Sequence, residues 1–88
     1  MDSGLLLLRV DRSTLRGLRC MACAAPLDGS RVLGYPHSGG TVVLEGTRLW
    51  AFIECRRCRY QNSLVGLGVD GGRVRVLGAE RLSGAAGG

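Results

Sequence analysis

The residues whose type and spacing could do chemistry are four cysteines, arranged as Cys20-Met21-Ala22-Cys23 and Cys55-Arg56-Arg57-Cys58. Two intervening residues let the chain turn back, so that both sulfurs of a pair reach one metal ion while backbone N–H groups point at the thiolates. Two such turns supply all four ligands of a closed tetrahedral site and leave no position for water, which makes the site structural rather than catalytic. One structural Zn²⁺ held by Cys20, Cys23, Cys55 and Cys58 is therefore the expected cofactor. Iron would use the same thiolates, and metal analysis separates the two. The same residues also suit two disulfide or redox pairs, or four unpaired thiols. His37 is expected as a loop or surface residue, because four thiolates already complete the tetrahedron.

Little else in the sequence points to catalysis. The single histidine is isolated, no serine, histidine and acid arrangement is recognisable, and the seven carboxylates form no motif. A thiol oxidoreductase is the strongest enzymatic alternative, but the Cys-x-x-Cys units lack the βαβ surroundings of that chemistry. The chain reads as a non-enzyme. Gly39-Gly40 and Gly71-Gly72 have neither the spacing nor the lysine of a phosphate-binding loop and read as turns.

Charge suggests a partner. All 12 basic residues are arginines, against 7 acidic ones, giving +5. A metallated four-thiolate site contributes −2 and lowers this to about +3. Arg56, Arg57 and Arg59 crowd the second Cys pair beside Tyr60, with Gln61 and Asn62 following. Guanidinium groups pair with phosphates and stack on bases, tyrosine offers a stacking face, and side-chain amides read base edges, so this segment is a candidate nucleic-acid-binding tip. The competing reading is that the same positive charge serves the anionic metal site. Arg73 and Arg75 are expected to share one face of a terminal hairpin and to extend the basic surface, with Arg9, Arg12, Arg16 and Arg19 punctuating the N-terminal segment.

The elements that must position these residues read as β. Leu5 to Val10 is a first strand, Asp11-Arg12-Ser13-Thr14 a polar turn, and Leu15 to Arg19 an extended return leading into Cys20, with a short helical turn as the alternative. Cys23 to Gly40 is turn-rich, with Pro26, Asp28-Gly29-Ser30, Gly34 and Pro36. Thr41–Leu44 and Arg48–Ile53 form a hairpin about Glu45-Gly46-Thr47 and deliver the chain to Cys55. A last hairpin is predicted from 67–69 and 73–77 about Asp70-Gly71-Gly72. Alternation along 48–55 puts Leu49, Ala51, Ile53 and Cys55 on a core face. Trp50 and Phe52 then lie on the other face, where they cover a second small core or form an exposed stacking platform.

The two knuckle sequences make the chain resemble the zinc-ribbon family over roughly residues 15–64, and the segment 53–64 is similar to the second knuckle of ribbons in small nucleic-acid-associated regulators. Met21/Ala24 and Arg56/Arg59 stand where the family often has Pro and Gly. The 31 residues between the pairs exceed the common spacing of about 15 to 20. The resemblance implies a small, mostly-β, zinc-ribbon-like fold of β-hairpins around a Cys₄ zinc site. It also implies an accessory role in translation, associated with the ribosome, or in transcription, so that the partner is RNA or DNA within a ribonucleoprotein or polymerase complex. The alternative is an adaptor that docks proteins through Trp50, Phe52 and its hairpin edges.

Length and composition agree with one metal-stapled domain, expected over residues 1–82, followed by a flexible tail, 83–88. Only 5% of the residues are aromatic, so the core rests mainly on Leu and Val. Such a core leaves a few kcal/mol at best, whereas structural zinc contributes about 10 to 16 kcal/mol in small peptides. No stretch is long and apolar enough to span a membrane and no secretory signal is visible, so a cytoplasmic, reducing setting is expected.

Overall fold

The computed structural model describes residues 4–69 and 72–82. It contains six strands: β1 (Leu6–Val10), β2 (Arg31–Pro36), β3 (Val42–Leu44), β4 (Thr47–Glu54), β5 (Gln61–Ser63) and β6 (Val76–Arg81). All pairings are antiparallel, in the order β3-β4-β2-β1-β6, and β5 joins β4 beyond the end of β3. The sheet curls until β3 approaches β6, and its concave face encloses the core. This is the expected small mostly-β domain. The anticipated tail, 83–88, and the Asp70-Gly71 turn lie outside the described residues.

Alternation sorts the two faces. Leu8 and Val10 of β1, Val32 of β2 and Leu49, Ala51 and Ile53 of β4 point inward, where they meet Leu15, Leu18, Leu27, Leu64, Val69 and Val74 from the connections. Cys20 and Cys55 belong to the same buried cluster, so the metal site grows out of the core rather than sitting apart from it.

Three sequence expectations are corrected. The return strand 15–19 does not form: Asp11 caps a 3₁₀ turn, Arg12–Leu15, by accepting the Ser13 backbone N–H (3.0 Å) and hydroxyl (2.7 Å). Leu15 and Leu18 are buried while Arg16, Gly17 and Arg19 are exposed, a spacing of three that suits a turn and not a strand. The partners of β1 are β2 and β6 instead. Secondly, 31–36 is a regular strand. Gly34 breaks nothing, because it faces the core where Leu8 and the Trp50 carbonyl leave little room for a side chain. Pro36 lies at the end of the ladder, opposite Leu49.

Thirdly, 67–69 and 73–77 do not pair. Residues 64–68 form tight turns that sink Val69 into the core, and β6 instead extends the free edge of β1. Arg73 and Arg75 therefore lie in the approach to β6, not on a hairpin face. Among the described residues no helix is long and apolar enough to cross a membrane.

Candidate metal centre

Each Cys pair sits on a turn of the same construction. In the first, the Ala24 N–H donates to the Cys20 carbonyl (2.9 Å) and the Ala22 N–H to Cys20 Sγ (3.3 Å). In the second, the Arg59 N–H donates to the Cys55 carbonyl (2.8 Å) and the Arg57 N–H to Cys55 Sγ (3.4 Å). Ala24 and Arg59 close the turns at φ 64° and 68°. Those are left-handed values that favour glycine, and both turns form here without one, at a conformational cost of about 1 to 2 kcal/mol per residue.

The four sulfurs lie within 4.8 Å of one another. Cys20 Sγ is 3.5 Å from Cys58 Sγ, and Cys23 Sγ is 3.6 Å from Cys55 Sγ. A metal about 2.3 Å from four tetrahedral sulfurs sets them about 3.8 Å apart, so the donor set fits one ion. Both of these contacts run between the knuckles, so the two pairs meet at one centre. His37 lies outside this cluster.

The electrostatics explain how the thiolates are supported. Burial alone would raise the Cys20 thiol, but amide hydrogen bonds from Cys23 and Ala22, the Asn62 amide and the Cys58 thiol outweigh it and bring its pKa down to about 6. Cys55 is lowered chiefly by the Cys58 amide, which works against burial with help from Arg57 N–H and the neighbouring thiols. At Cys58 the Tyr60 amide favours the thiolate. Burial and the three other sulfurs prevail, and the value is pushed up to about 12. The last proton thus stays on the exposed cysteine of the four.

Asn62 ties the two knuckles together. Its side chain is fully buried. Its Oδ1 accepts the Met21 N–H (2.8 Å) from the first knuckle, while Nδ2 donates to the carbonyls of Ile53 and Tyr60 (both 3.2 Å) around the second and reaches Cys20 Sγ (3.6 Å). The sequence reading placed this amide among the base-reading groups, and its burial corrects that. The signal was the alternation of β5: Asn62 lies opposite inward-facing Ile53, while Gln61 lies opposite Glu54.

The arginines divide into groups. Arg56 and Arg59, joined by Arg31, line a cavity of about 360 Å³ with Glu54 and Gly29. A second cavity of similar size, lined by Arg56, Arg57, Asp28, Ala25 and Pro26, adjoins it. Arg31 was missed in sequence because its segment was read as irregular; its guanidinium pairs with Glu54 (2.7 Å). The loop beneath is fixed by Ser30, whose Oγ accepts the Arg56 N–H (3.2 Å) and whose carbonyl accepts Arg12 (2.5 Å).

Tyr60 is exposed at the tip (45%). Arg75 stands elsewhere: its N–H donates to Thr14 Oγ1 (3.2 Å) and its carbonyl accepts the Asp11 N–H (2.9 Å). Neither Arg73 nor Arg75 lines the knuckle cavities. Phe52 is buried (7% exposed) and Trp50 half-buried, so the pair is not a jointly exposed platform.

No protein-family model, curated protein or solved structure matches this chain. The four-cysteine geometry is compatible with a zinc-ribbon-like site.

Proposed function

We propose that this protein is a non-catalytic module whose four thiolates hold one structural Zn²⁺ and whose second knuckle binds the phosphates of RNA or DNA. The observation that carries the reading is the division of labour at that knuckle. Backbone amides and the Asn62 side chain, not guanidinium groups, make the hydrogen bonds to Cys20 and Cys55 Sγ. Among the described residues, the side chains of Arg56, Arg57 and Arg59 make no hydrogen bond or ion pair, yet two of them converge with Arg31 on one open cavity. Exposed guanidinium groups grouped around a concavity can make bidentate contact with phosphate. By resemblance to the ribbons of nucleic-acid-associated regulators, the module would serve translation or transcription.

Two measurements test this. The purified protein should carry one zinc, and iron or no metal in stoichiometric analysis would overturn the cofactor assignment. Binding of a labelled oligonucleotide, followed by anisotropy, should weaken with salt. Three phosphate contacts give a slope of about −2 in log affinity against log salt, or about 20-fold between about 50 and 200 mM. Replacing Arg56, Arg57 and Arg59 by Gln should abolish most of that binding while zinc content holds. A flat salt response would favour an apolar protein-docking contact instead, and zinc loss in the triple variant would return the arginines to the metal site.

A further inference from the structure

The same pair of strands that ends at the arginine cavity carries an organised aromatic cluster at its other end. Tyr35 of β2 and Trp50 of β4 are direct cross-strand partners, as are Arg31 and Glu54 four residues along. Period-two alternation puts all four side chains on the face of the sheet opposite the core cluster, with Leu33 and Phe52, both buried, between them. At about 3.3 Å per residue the rings and the cavity are about 13 Å apart along this face, short enough for one oligonucleotide to reach both.

His37 completes the cluster. Its ring stands edge-on to Tyr35 (centroids 6.1 Å apart) and tilted against Trp50 (5.9 Å). The ring is held in place: Nδ1 accepts the Gly39 N–H (2.9 Å), and the backbone N–H donates to the Arg48 carbonyl (3.0 Å). The Arg48 guanidinium in turn donates to the Gly40 carbonyl (3.1 Å). Gly40 lies so close to the Leu49 carbonyl that a Cβ there would collide with backbone, which presses the 37–40 turn onto β4. An exposed histidine is thus fixed beside two half-buried rings, with cations at both ends of the face.

We propose that this face is a base-stacking platform for a single-stranded polynucleotide, with Tyr35, His37 and Trp50 contacting bases and the Arg31, Arg56 and Arg59 cavity receiving a phosphate. The proposal rests on the nucleic-acid reading of the knuckle and adds the form of the ligand. Aromatic rings can stack only on bases that are unpaired, because a duplex hides the base faces. Charge complementarity selects a polyanion over an apolar peptide, since Arg48 flanks the rings and two unpaired guanidinium groups lie at the cavity.

Trp50 is the only tryptophan, so its fluorescence reports on this face alone. The zinc-loaded full chain would be titrated with oligo-rU, oligo-dT and a matched duplex of about ten nucleotides, a length within single-strand site sizes. Fluorescence and the anisotropy of a label on the nucleic acid would be followed together. Either single strand should quench Trp50, the tighter of the two naming the natural chemistry, and the duplex should bind at least about tenfold more weakly. His37→Ala, an exposed substitution, should weaken the single strand, and Trp50→Leu should do so about tenfold or more. Binding seen by anisotropy with unchanged Trp50 fluorescence, or equal affinity for the duplex, would overturn the platform and leave the arginine reading standing. Absence of binding to any of the three would overturn both.

Discussion

Truncating Asn62 to Ala should be among the most damaging single changes outside the cysteines, although the residue is neither a ligand nor a hydrophobic core residue. The amide is fully buried, and its two N–H groups serve three acceptors while its oxygen takes the Met21 N–H. Removing it leaves that N–H without its partner and deletes the amide's two hydrogen bonds to the Ile53 and Tyr60 carbonyls, although the Tyr60 carbonyl keeps the Cys55 N–H (2.9 Å). At about 1 to 3 kcal/mol for the orphaned N–H and about 0.5 to 1.5 kcal/mol for each hydrogen bond lost, the total is about 2 to 6 kcal/mol. A domain of this length has about 4 to 13 kcal/mol in total. Zinc affinity should fall about 10- to 100-fold as well, the usual effect of removing a group that orients a ligand.

Denaturant unfolding of the metal-loaded protein and competition with a chromophoric chelator measure the two losses separately. Asn62→Asp sharpens the argument. The carboxylate keeps the shape and can still accept from Met21, but it presents negative charge to two carbonyls and to the Cys20 sulfur. It should therefore be at least as damaging as Ala at neutral pH. Gln61→Ala next door is the control, since Gln61 is exposed and should change stability by no more than about 0.5 kcal/mol. If Asn62→Ala behaved like Gln61→Ala, or Asn62→Asp were tolerated at pH 7, the strut would not be what holds the knuckles in register.

Metal capture at neutral pH should expel at least one proton. Cys20, with its value near 6, is already a thiolate there, while Cys58 keeps its proton up to about 12; apparent zinc affinity should therefore rise with pH across that window, and calorimetry in buffers of different ionisation enthalpy counts the protons. Arg59→Gly should act in opposite directions on two assays, relieving a left-handed non-glycine residue and stabilising the fold by up to about 1 kcal/mol while weakening oligonucleotide binding. Glu54→Gln should tighten that binding, because it removes the one carboxylate in the cavity and releases Arg31, and it should cost no more than about 1 kcal/mol of stability as a half-exposed pair. Gly40→Ala should destabilise by about 1 to 3 kcal/mol in thermal or denaturant unfolding, because the obstacle its Cβ meets is the backbone of Leu49 and Trp50 and cannot turn aside.

The metal centre was legible because its chemistry is local: two cysteines three apart specify a turn, and two turns specify a tetrahedron. The β3–β4 hairpin was legible for the same reason, its alternation and Gly46 turn being contained in a dozen residues. What the sequence hid was long-range. Strand β2 contains Gly34 and Pro36, which weaken a strand in isolation, and only the neighbouring Leu8 and the Trp50 backbone explain why a glycine suits that place. Strand β6 finds its partner almost seventy residues away at β1, so its nearest turn signal pointed to the wrong pairing. Asn62 looked like a surface amide because β5 is three residues long and shows its inward face only opposite Ile53.

These misreadings bear on the arginines. With 31–36 read as irregular and 73–77 as a hairpin strand, the basic residues fall into three groups: at the knuckle, on the terminal hairpin and along the N-terminal segment. The sheet register redistributes them: Arg31 comes to the knuckle through its pairing with Glu54, and Arg75 moves to the start of β6, where its backbone serves Asp11 and Thr14. The cavity is thus assembled around Arg31 at the start of β2 and Arg56 and Arg59 of the second knuckle turn. The knuckle backbone supplies the hydrogen bonds the thiolates need, which leaves the side chains at positions 56, 57 and 59 free to vary without touching the metal. On the proposed reading the three arginines at these positions serve a ligand that approaches the knuckle from outside, while the left-handed φ of Arg59 belongs to the turn itself, since Ala24 adopts it in the other knuckle.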